Sequence, residues 1–434
     1  MSSEFRVPSS ESESRPRAMA PVDEQLAVLM SGVEYGDALL RRQMERELRT
    51  LLELDRPLRV YLGVDPTASS LTLGHTVPLR KLRQFQEFGH HAIFLIGDYT
   101  ALIGDPSDKN KLRPMLTQED IKRNEETYAE QVASIMDLRT TELRHNSEWL
   151  AKLTFPDIIS LMSKFTVAEM LRRDNFRKRF DDGDAVFLHE FLYALMQGYD
   201  AFALECDVQV GGTEQLFNLM AGRKIQQDAG QRPHVPVTMP ILVGLDGKER
   251  MSKSKGNHIG VSDSADEQYG KAMSLPDEAV MDFFVLATNV PRTELDGLRA
   301  ELARDPMGTK KRLARTIVSE FWGEAAADAA GTAWERRFQR HEVNDEDFAD
   351  GRADLVRLAF EPGETYARLV ARAYPSRSNR EIRRLFETGS VSWSRPVADR
   401  LEDTVLRAVI LDGRESTHGN EFVRVGKRQI IQLL

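Results

Sequence analysis

Cysteine and long apolar runs are nearly absent from this chain. Cys206 is the single cysteine among 434 residues, which excludes an intrachain disulfide and favours a reducing compartment such as the cytoplasm. A small buried filler is a better interpretation of this residue than a nucleophile. No apolar stretch approaches the roughly 18 residues that a membrane-spanning helix requires. The sequence supports no Cys/His metal site, so we predict no protein-bound metal.

Two common nucleotide-binding motifs are missing as well. No GxGxxG follows an early strand, and GDPSDKNKLR at 104–113 does not have the Walker A pattern. Dinucleotide-dependent enzymes and P-loop enzymes are therefore disfavoured. No convincing Ser/His/Asp set stands out either.

The remaining composition is typical of a globular enzyme. The length suggests about three domains, and a hydrophobic content of 41% is enough to form their cores. Residues 1–20 have neither the apolar segment of a secretion signal nor the acid-poor pattern of a transit peptide, so we predict a disordered tail. The formal net charge of −9 does not exclude RNA binding, because phosphate recognition depends on local basic patches.

A mostly apolar helix is predicted from Phe187 to Leu204. At about 100° per residue, Tyr193, Gln197 and Asp200 fall within an arc of roughly 60° and form a polar stripe about 10 Å long. Buried amide and carboxylate groups need partners from the fold or from a ligand. The stripe suits a small zwitterion with a polar tail, and a solvent-facing stripe or an internal network is the alternative.

Two further segments have features of phosphate binding. VYLGVDPTASSLTLGH at 60–75 is typical of a strand, a loop and a helix N-terminus, where free N–H groups attract anions. GKERMSKSKGN at 247–257 places Lys248, Arg250, Lys253 and Lys255 on a loop rich in Gly and Ser. Taken alone, such a loop is more often a solvated turn.

Together with VQVGGTEQLFN at 208–218, these motifs give the sequence a specific resemblance to a known family. LTLGH and RMSKS resemble the HIGH and KMSKS signatures of class I aminoacyl-tRNA synthetases, and GGTEQ with the stripe of the 187–204 helix resembles the tyrosyl type. The similarity covers nearly everything after about residue 30.

The resemblance implies an α/β fold with three folded parts. A Rossmann-like parallel-sheet catalytic domain, with an N-terminal helix and inserted dimerisation helices, is expected over 21–260. An α-helical middle domain follows over 261–345, then an acidic linker over 346–362. A small α+β module of the S4 type, which binds RNA, is expected over 363–434. The family also implies a homodimer, with an interface from apolar helices between Leu116 and Leu171.

The implied activity has two steps. L-tyrosine and ATP, accompanied by Mg²⁺, form tyrosyl-adenylate and pyrophosphate, and the tyrosyl group then moves to the 3′-terminal adenosine of tRNA(Tyr). The attacking group is the carboxylate of the amino acid, so the protein is expected to act by alignment and charge stabilisation.

Site residues follow from the resemblance, position by position. Asp105, Tyr193 and Gln197 are expected at the α-ammonium group and Asp200 at the phenol; the full tyrosine-binding set is Tyr61, Asp65, Thr100, Asp105, Tyr193, Gln197, Asp200 and Gln215. An ordinary strand tyrosine is nearly as good an interpretation of Tyr61. The ATP-binding set is Gly63, Gly74, His75, Gly211, Gly212, Glu214, Met251 and Lys253. The catalytic set is Thr72, His75, Arg250, Ser252, Lys253, Lys109 and Arg113, the last two equally well interpreted as exposed loop charges.

Basic segments are the candidates for tRNA contact. The expected tRNA-binding residues on a short helix of the C-terminal module are Arg377, Arg380, Arg383 and Arg384. A second basic helix, from Leu171 to Phe180, has two interpretations, contact with the tRNA acceptor stem or exposure to solvent.

Several residues depart from the family pattern. Thr72 stands for the first histidine of HIGH, Arg250 for the first lysine of KMSKS, and Glu214 for the usual aspartate of GGTDQ, while Ala101 and Asp108 stand where glycines are common. We therefore predict an ATP affinity or rate below that of a typical relative.

Two alternatives remain at this point. One is a tryptophanyl or otherwise altered amino-acid specificity, which the tyrosine-type stripe disfavours. The other is a noncatalytic RNA-binding or regulatory paralogue, which the charged residues retained in the predicted cleft disfavour.

Overall fold

The computed structural model describes residues 19–66, 70–106, 117, 119–120, 123–124, 131–339, 354–358, 366–387, 390–397, 400–405, 421–425 and 429–433. The chain divides into two compact units, with the division between Ala327 and Asp328. The predicted tail at 1–20 falls almost entirely outside the described residues.

A five-stranded parallel sheet forms the centre of the first unit. Its strands are β1 (Arg59–Val64), β2 (His91–Ile96), β3 (Glu142–His145), β4 (Val208–Gly212) and β5 (Val235–Met239), in the spatial order β3-β2-β1-β4-β5. Most side chains of β1, β2, β4 and β5 are buried, as expected for parallel strands covered on both faces. The chain order reverses between β1 and β4, so their carboxyl ends border a crevice of the kind in which α/β proteins bind ligands.

Helices surround this sheet and extend the unit beyond it. Their bounds, in chain order, are α1 (Val22–Leu29), α2 (Ala38–Leu52), α3 (Leu73–Glu87), α4 (Ser147–Leu150), α5 (Phe155–Met162), α6 (Val167–Met170), α7 (Asp174–Asp181), α8 (Leu188–Ala203), α9 (Leu216–Asp228), α10 (Ala265–Met273), α11 (Asp277–Ala287), α12 (Leu295–Arg304) and α13 (Pro306–Trp322). The helical segment α10–α13, predicted to be a middle domain, belongs to the same compact unit as the sheet.

Helices α8 and α9 approach each other closely because small residues face across their contact. A Cβ atom at Gly198 would lie 2.7 Å from Cδ1 of Ile225 and 3.1 Å from the backbone nitrogen of Gly222. In the same helix contact, Nδ2 of Asn218 in α9 donates at 2.9 Å to Oε1 of Gln197 in the polar stripe of α8.

The second unit begins at Asp328, within helix α14 (Glu324–Phe338), and contains the rest of the chain. Helices α15 (Tyr366–Ala373) and α16 (Asn379–Glu387) accompany a sheet of order β6-β10-β9-β7-β8, with strands β6 (Asp354–Leu358), β7 (Val391–Val397), β8 (Arg400–Val405), β9 (Glu421–Val425) and β10 (Gln429–Leu433). The segment 346–362, predicted to be a linker, thus contains β6, which pairs in parallel with β10. Three of the five residues in DLVRL are apolar and one is β-branched, which suits a strand better than a linker.

The α/β fold class with a parallel-sheet catalytic part and helices on both sides is confirmed. Among the described residues, no helix combines the length and apolar character needed to cross a membrane.

The contact between α8 and α9 predicts opposite effects for two glycine-to-alanine substitutions. Gly198→Ala should lower the free energy of unfolding by about 1–3 kcal/mol, because the added methyl group overpacks the helix contact. Gly270→Ala, in α10, has no atom within 4 Å of the added Cβ and should raise it by up to about 1 kcal/mol through helix propensity. Urea denaturation of both variants measures the difference. Equal effects of the two substitutions would contradict the packing argument.

Candidate active site

A cleft opens at the carboxyl ends of β1 and β4. Its inner part has a volume of about 270 Å³, and an outer part of about 370 Å³ adjoins it. His75, Pro78, Gly212 and Glu214 line both parts, so the two volumes form one continuous site.

The inner part brings together residues from widely separated segments. All eight residues of the predicted tyrosine-binding set line it, namely Tyr61, Asp65, Thr100, Asp105, Tyr193, Gln197, Asp200 and Gln215. Gly63, Gly211, Gly212, Glu214 and His75 of the predicted ATP-binding set also border this volume.

Asp200 lies at the floor of the inner part with only 2% of its surface exposed. Its carboxylate accepts a hydrogen bond of 2.7 Å from Nε1 of Trp149 and one of 3.2 Å from Nδ2 of Asn146. Burial raises the pKa of Asp200 well above its ordinary value, and the two N–H donors oppose that rise. No arginine contacts this carboxylate among the hydrogen bonds and ion pairs of the described residues, so it retains acceptor capacity for a further O–H donor.

Tyr61 is fully buried on β1 above the same floor. Its hydroxyl donates a long hydrogen bond of 3.4 Å to the carbonyl of Gln197. Burial raises the pKa of this phenol well above its ordinary value, so it stays protonated and able to donate.

A hydrogen-bonded chain connects the floor to Asp65. Asn146 Nδ2 donates to Oγ1 of Thr100 at 3.0 Å, Thr100 donates to Oδ1 of Asp65 at 2.7 Å, and the hydroxyl of Tyr193 donates to Oδ2 of Asp65 at 2.9 Å. This chain requires a glycine at position 97, where a Cβ atom would overlap the oxygens of Asp65 and Thr100.

Asp105 is held at the opposite wall by two partners. Gln215 donates to its Oδ2 at 2.5 Å, and Arg173 forms an ion pair with its Oδ1 at 3.3 Å. Nδ2 of Asn218 contacts Oε1 of both Gln215 and Gln197 at 2.9 Å, which orients the two amides.

Thr72 and His75 form the start of α3 at the boundary of the two volumes. The backbone N–H of Thr72 donates to Nδ1 of His75 at 3.1 Å, and the Thr72 hydroxyl lies 2.8 Å from the same atom. Burial, and then the charges of Lys253 and Arg250, lower the pKa of His75 to about 4, so the ring is neutral at pH 7. Because Nδ1 accepts, the ring proton resides on Nε2, which makes the imidazole a donor.

The outer part lies between α3 and the segment 247–257, here called the basic loop. Thr72, Gly74, Arg250, Met251, Ser252 and Lys253 line it. Asn257 holds this loop in shape, because its Oδ1 accepts from the N–H of Ser252 at 2.9 Å and its Nδ2 donates to Asp246 at 2.7 Å. The ammonium group of Lys253 contacts Ser70, in the loop between β1 and α3.

Four residues that support the inner part escaped the sequence analysis. Asn146 lines it, and Trp149, Arg173 and Asn218 contact the lining residues Asp200, Asp105 and Gln197. Asn146 directly follows β3, so a prediction of that strand would have placed it at the carboxyl edge of the sheet. Lys109 and Arg113, and the unusual Asp108, lie outside the described residues.

The basic helix predicted from Leu171 to Phe180 does not place all its charges outward. Arg173 is buried against Asp105 and the rings of Phe176 and Phe217. Arg179 forms a buried ion pair of 2.6 Å with Glu190. Neither of the two sequence interpretations, tRNA contact or solvent exposure, applies to these two arginines.

The four arginines predicted to contact tRNA lie on or just before α16. Arg380, Arg383 and Arg384 are exposed, and Arg377 is half-buried in the turn before the helix. Over the described part of the chain, no group of three or more His, Cys, Asp or Glu residues has a geometry suited to a metal ion.

Comparison with known proteins agrees with this geometry. The family model described as "tRNA synthetases class I (W and Y)" matches residues 53–339. The tyrosine–tRNA ligase of Symbiobacterium thermophilum is 46% identical over 377 residues, which are 86% of this chain and 90% of that protein. The tyrosine–tRNA ligase of Moorella thermoacetica is 42% identical over 416 residues, which are 95% and 96% of the two chains.

A solved structure is also similar over most of its length. The C-terminally truncated mitochondrial tyrosyl-tRNA synthetase of Aspergillus nidulans is 25% identical with a TM-score of 0.59, covering 74% of this chain and 95% of that one. The chain belongs to the class I aminoacyl-tRNA synthetases, in their tyrosyl branch.

Proposed function

We propose that this enzyme joins L-tyrosine to ATP in the inner part of the cleft, releasing pyrophosphate, and then transfers the tyrosyl group to the 3′-terminal adenosine of tRNA(Tyr). The observation that carries the proposal is the buried carboxylate of Asp200, which two N–H donors hold at the floor of a cleft that opens onto the basic loop. The names of the similar proteins support the same substrates.

Tyrosine fits the inner part in one orientation. Its phenolic O–H donates to Asp200, and the Tyr61 hydroxyl, which already faces the same region, is able to donate to the phenol oxygen. The α-ammonium group reaches Asp105, Tyr193 and Gln197, whose positions are held by Gln215, Asp65 and Asn218. Phenylalanine in this position would leave Asp200 without its third donor, which disfavours its binding.

ATP fits the outer part, with its phosphates between α3 and the basic loop. The N-terminus of α3 and the Nε2 proton of His75 supply neutral donors, while Arg250 and Lys253 supply positive charge. The tyrosine carboxylate attacks the α-phosphorus, the bond to pyrophosphate breaks, and these groups stabilise the charge that moves onto the leaving oxygens. Lys109 and Arg113 are proposed to assist on the pyrophosphate side. Ser252 holds the loop through Asn257.

Mg²⁺ is proposed to enter with ATP. The Glu214 carboxylate lines the region between the two volumes and offers the oxygen chemistry that suits this ion. The ion would neutralise part of the triphosphate charge. His75, Arg250 and Lys253 would then orient the triphosphate.

tRNA binding is proposed for the second unit. Arg380, Arg383 and Arg384 lie at spacings of three and four residues on α16 and therefore share one face of that helix, as an S4-type surface requires for contact with phosphates.

The single, buried and free Cys206 suits a cytoplasmic enzyme.

Pyrophosphate exchange with a panel of amino acids tests the proposed function. We expect exchange with tyrosine and ATP together, and none with tryptophan or phenylalanine at comparable concentration. Exchange that depended on tryptophan would overturn the specificity, and exchange with no amino acid would support a noncatalytic paralogue.

The role of Asp200 is tested by its replacement with alanine. Asp200→Ala should lower kcat/KM for tyrosine by about 10- to 100-fold, because a hydrogen bond to a charged group contributes about 1.5–3 kcal/mol. The value for phenylalanine should change far less. Asp228→Ala, at the far end of α9 in a surface ion pair with Lys164, is the matched control. Parallel losses for both amino acids would contradict the assignment.

Glu214 should limit the use of ATP. Its carboxylate folds back over Gly212, where a Cβ atom would overlap both of its oxygens, and the usual aspartate is shorter by one methylene. The double variant Glu214→Asp, Asp108→Gly should lower the KM for ATP or raise kcat by about three- to tenfold, since a shift near 1 Å affects alignment strongly. The KM for tyrosine should not change. Wild-type constants equal to or better than those of the variant would contradict this.

A homodimer is proposed from an apolar surface on helices α5 to α8. Large apolar side chains are exposed there, including Phe155 at 74% and Leu188 at 80%, together with Ile159, Met162, Val167, Phe180 and Phe187. The opposite sides of these helices are packed in a core around Leu161, Met170 and Leu195. An exposed apolar surface of this extent indicates a protein interface, and it overlaps the segment in which the family's dimer helices are expected.

Analytical ultracentrifugation at micromolar concentration tests the dimer. The wild-type chain should sediment as a dimer, and the double variant Ile159→Glu, Leu188→Glu should sediment as a monomer, because buried charges without partners are not tolerated in an apolar interface. Leu39→Glu, at an exposed leucine of α2 outside this surface, should remain a dimer. A monomeric wild-type chain would refute the proposal.

A further inference from the structure

The C-terminal end of α13 contacts the two structures that enclose the outer part of the cleft. One contact is with α3, whose first turn carries Thr72 and His75. Arg80, five residues after His75 on the same helix, forms an ion pair of 2.5 Å with Glu320 of α13, and both side chains are largely buried. Asn289 completes the contact, because its Oδ1 accepts from Arg80 at 2.8 Å and its backbone N–H donates to Glu320 at 2.7 Å.

The other contact is with the segment that follows the basic loop. Nε1 of Trp322, two residues after Glu320, donates to the carbonyl of Asp263 at 3.1 Å. The carboxylate of Asp263 in turn accepts from the backbone N–H of Gly260 at 2.6 Å and pairs with Lys271 at 2.6 Å.

Gly260 closes the connection back to the start of α3. It forms an antiparallel bridge with Thr72, and the N–H of Leu73 donates to the carbonyl of Ile259 at 2.9 Å. A Cβ atom at position 260 would overlap the Asp263 carboxylate. The segment 259–263, which directly follows the basic loop, therefore forms one closed set of contacts with α3 and the last turn of α13.

From this closed set we propose that Glu320 and Trp322 are positioning residues for adenylate formation. They hold the donors at the start of α3 and the cations of the basic loop at a fixed separation, across which the triphosphate of ATP has to fit. Neither residue lines the cleft. The inference rests on the proposed function and adds to it a role for the helical segment α10–α13 in the first chemical step.

The physical reason is the sensitivity of phosphate alignment to small shifts. Arg80 anchors α3 five residues after His75, so a displacement at Arg80 affects the first turn, although Pro78 between them removes one backbone hydrogen bond of the helix. Loss of either contact with α13 allows α3 and the loop to separate, whereas the hydrogen bonds of Asp200 within the described part of the chain go to Asn146 and Trp149 and not to α13. Substitutions in α13 should therefore change the kinetic constants for ATP and leave the affinity for tyrosine nearly unchanged.

Trp322→Phe removes one N–H donor and keeps an aromatic ring of similar shape. In pyrophosphate exchange, we expect kcat to fall and the KM for ATP to rise by a combined factor of about ten, as a misplacement below 1 Å would produce. The dissociation constant of tyrosine without ATP, measured by equilibrium dialysis, should stay within about twofold of wild type. This split between the substrates separates positioning from a general loss of structure.

Glu320→Gln provides an independent variant with a matched control on a neighbouring helix. It removes the charge opposite the buried Arg80. It should lower kcat and raise the KM for ATP by a combined factor at least as large as that of Trp322→Phe. Glu324→Gln removes the same charge from an exposed ion pair with Arg315. It should leave the kinetic constants for ATP and the dissociation constant of tyrosine unchanged. The double variant Arg80→Glu, Glu320→Arg, which exchanges the two charges, should recover part of the kcat/KM for ATP that Glu320→Gln loses.

Three results would overturn the inference. ATP constants of wild-type magnitude in both Trp322→Phe and Glu320→Gln would do so, and so would a parallel loss of tyrosine affinity, which would indicate a structural effect alone. Absence of tyrosine-dependent exchange in the wild-type chain would overturn the proposed function and this inference with it, so the two failures are distinguishable.

Discussion

Burial of carboxylates is the constraint on which the arrangement of this cleft depends. Asp200 is buried at the floor of the cleft and Asp65 and Asp105 are half-buried in its walls. An ionised carboxylate removed from bulk water is unfavourable unless N–H or O–H donors reach it. The protein supplies mostly neutral donors, such as the Trp149 indole and the Tyr193 hydroxyl. These donors come from different helices and loops, so the three acids are satisfied only where those elements meet.

Charge divides the cleft into two regions of opposite character. Acids and amides dominate the inner part, and the cations Arg250 and Lys253 with the positive end of α3 dominate the outer part. A zwitterion with a hydroxyl at its far end matches the first region, and a polyphosphate matches the second. His75 lies between them and is neutral, so its Nε2–H is a donor that adds no positive charge at the boundary of the two regions.

Helix α3 connects this site to the rest of the first unit. Its N-terminus borders the cleft, and its middle carries two buried cations in succession. Arg80 pairs with Glu320, while the ammonium group of Lys81 donates to the carbonyls of Val28 and Ser31 at the end of α1, at 3.1 and 2.9 Å. Burial lowers the pKa of Lys81 to about 7. The helix that borders the cleft is thus held both by the end of α1 and by α13.

Local sequence patterns determined the fold class, the polar stripe of α8 and the two segments predicted to bind phosphate, because helical periodicity and short motifs need no knowledge of distant residues. Only the tertiary structure decided which donors reach Asp200, since Asn146 and Trp149 lie 54 and 51 residues away along the chain. It also decided that Arg173 is buried beside Asp105, where charge patterning alone suggests a surface residue. Such partners are chosen by the packing of strands and helices, and packing energy is a property of the assembled core rather than of any segment.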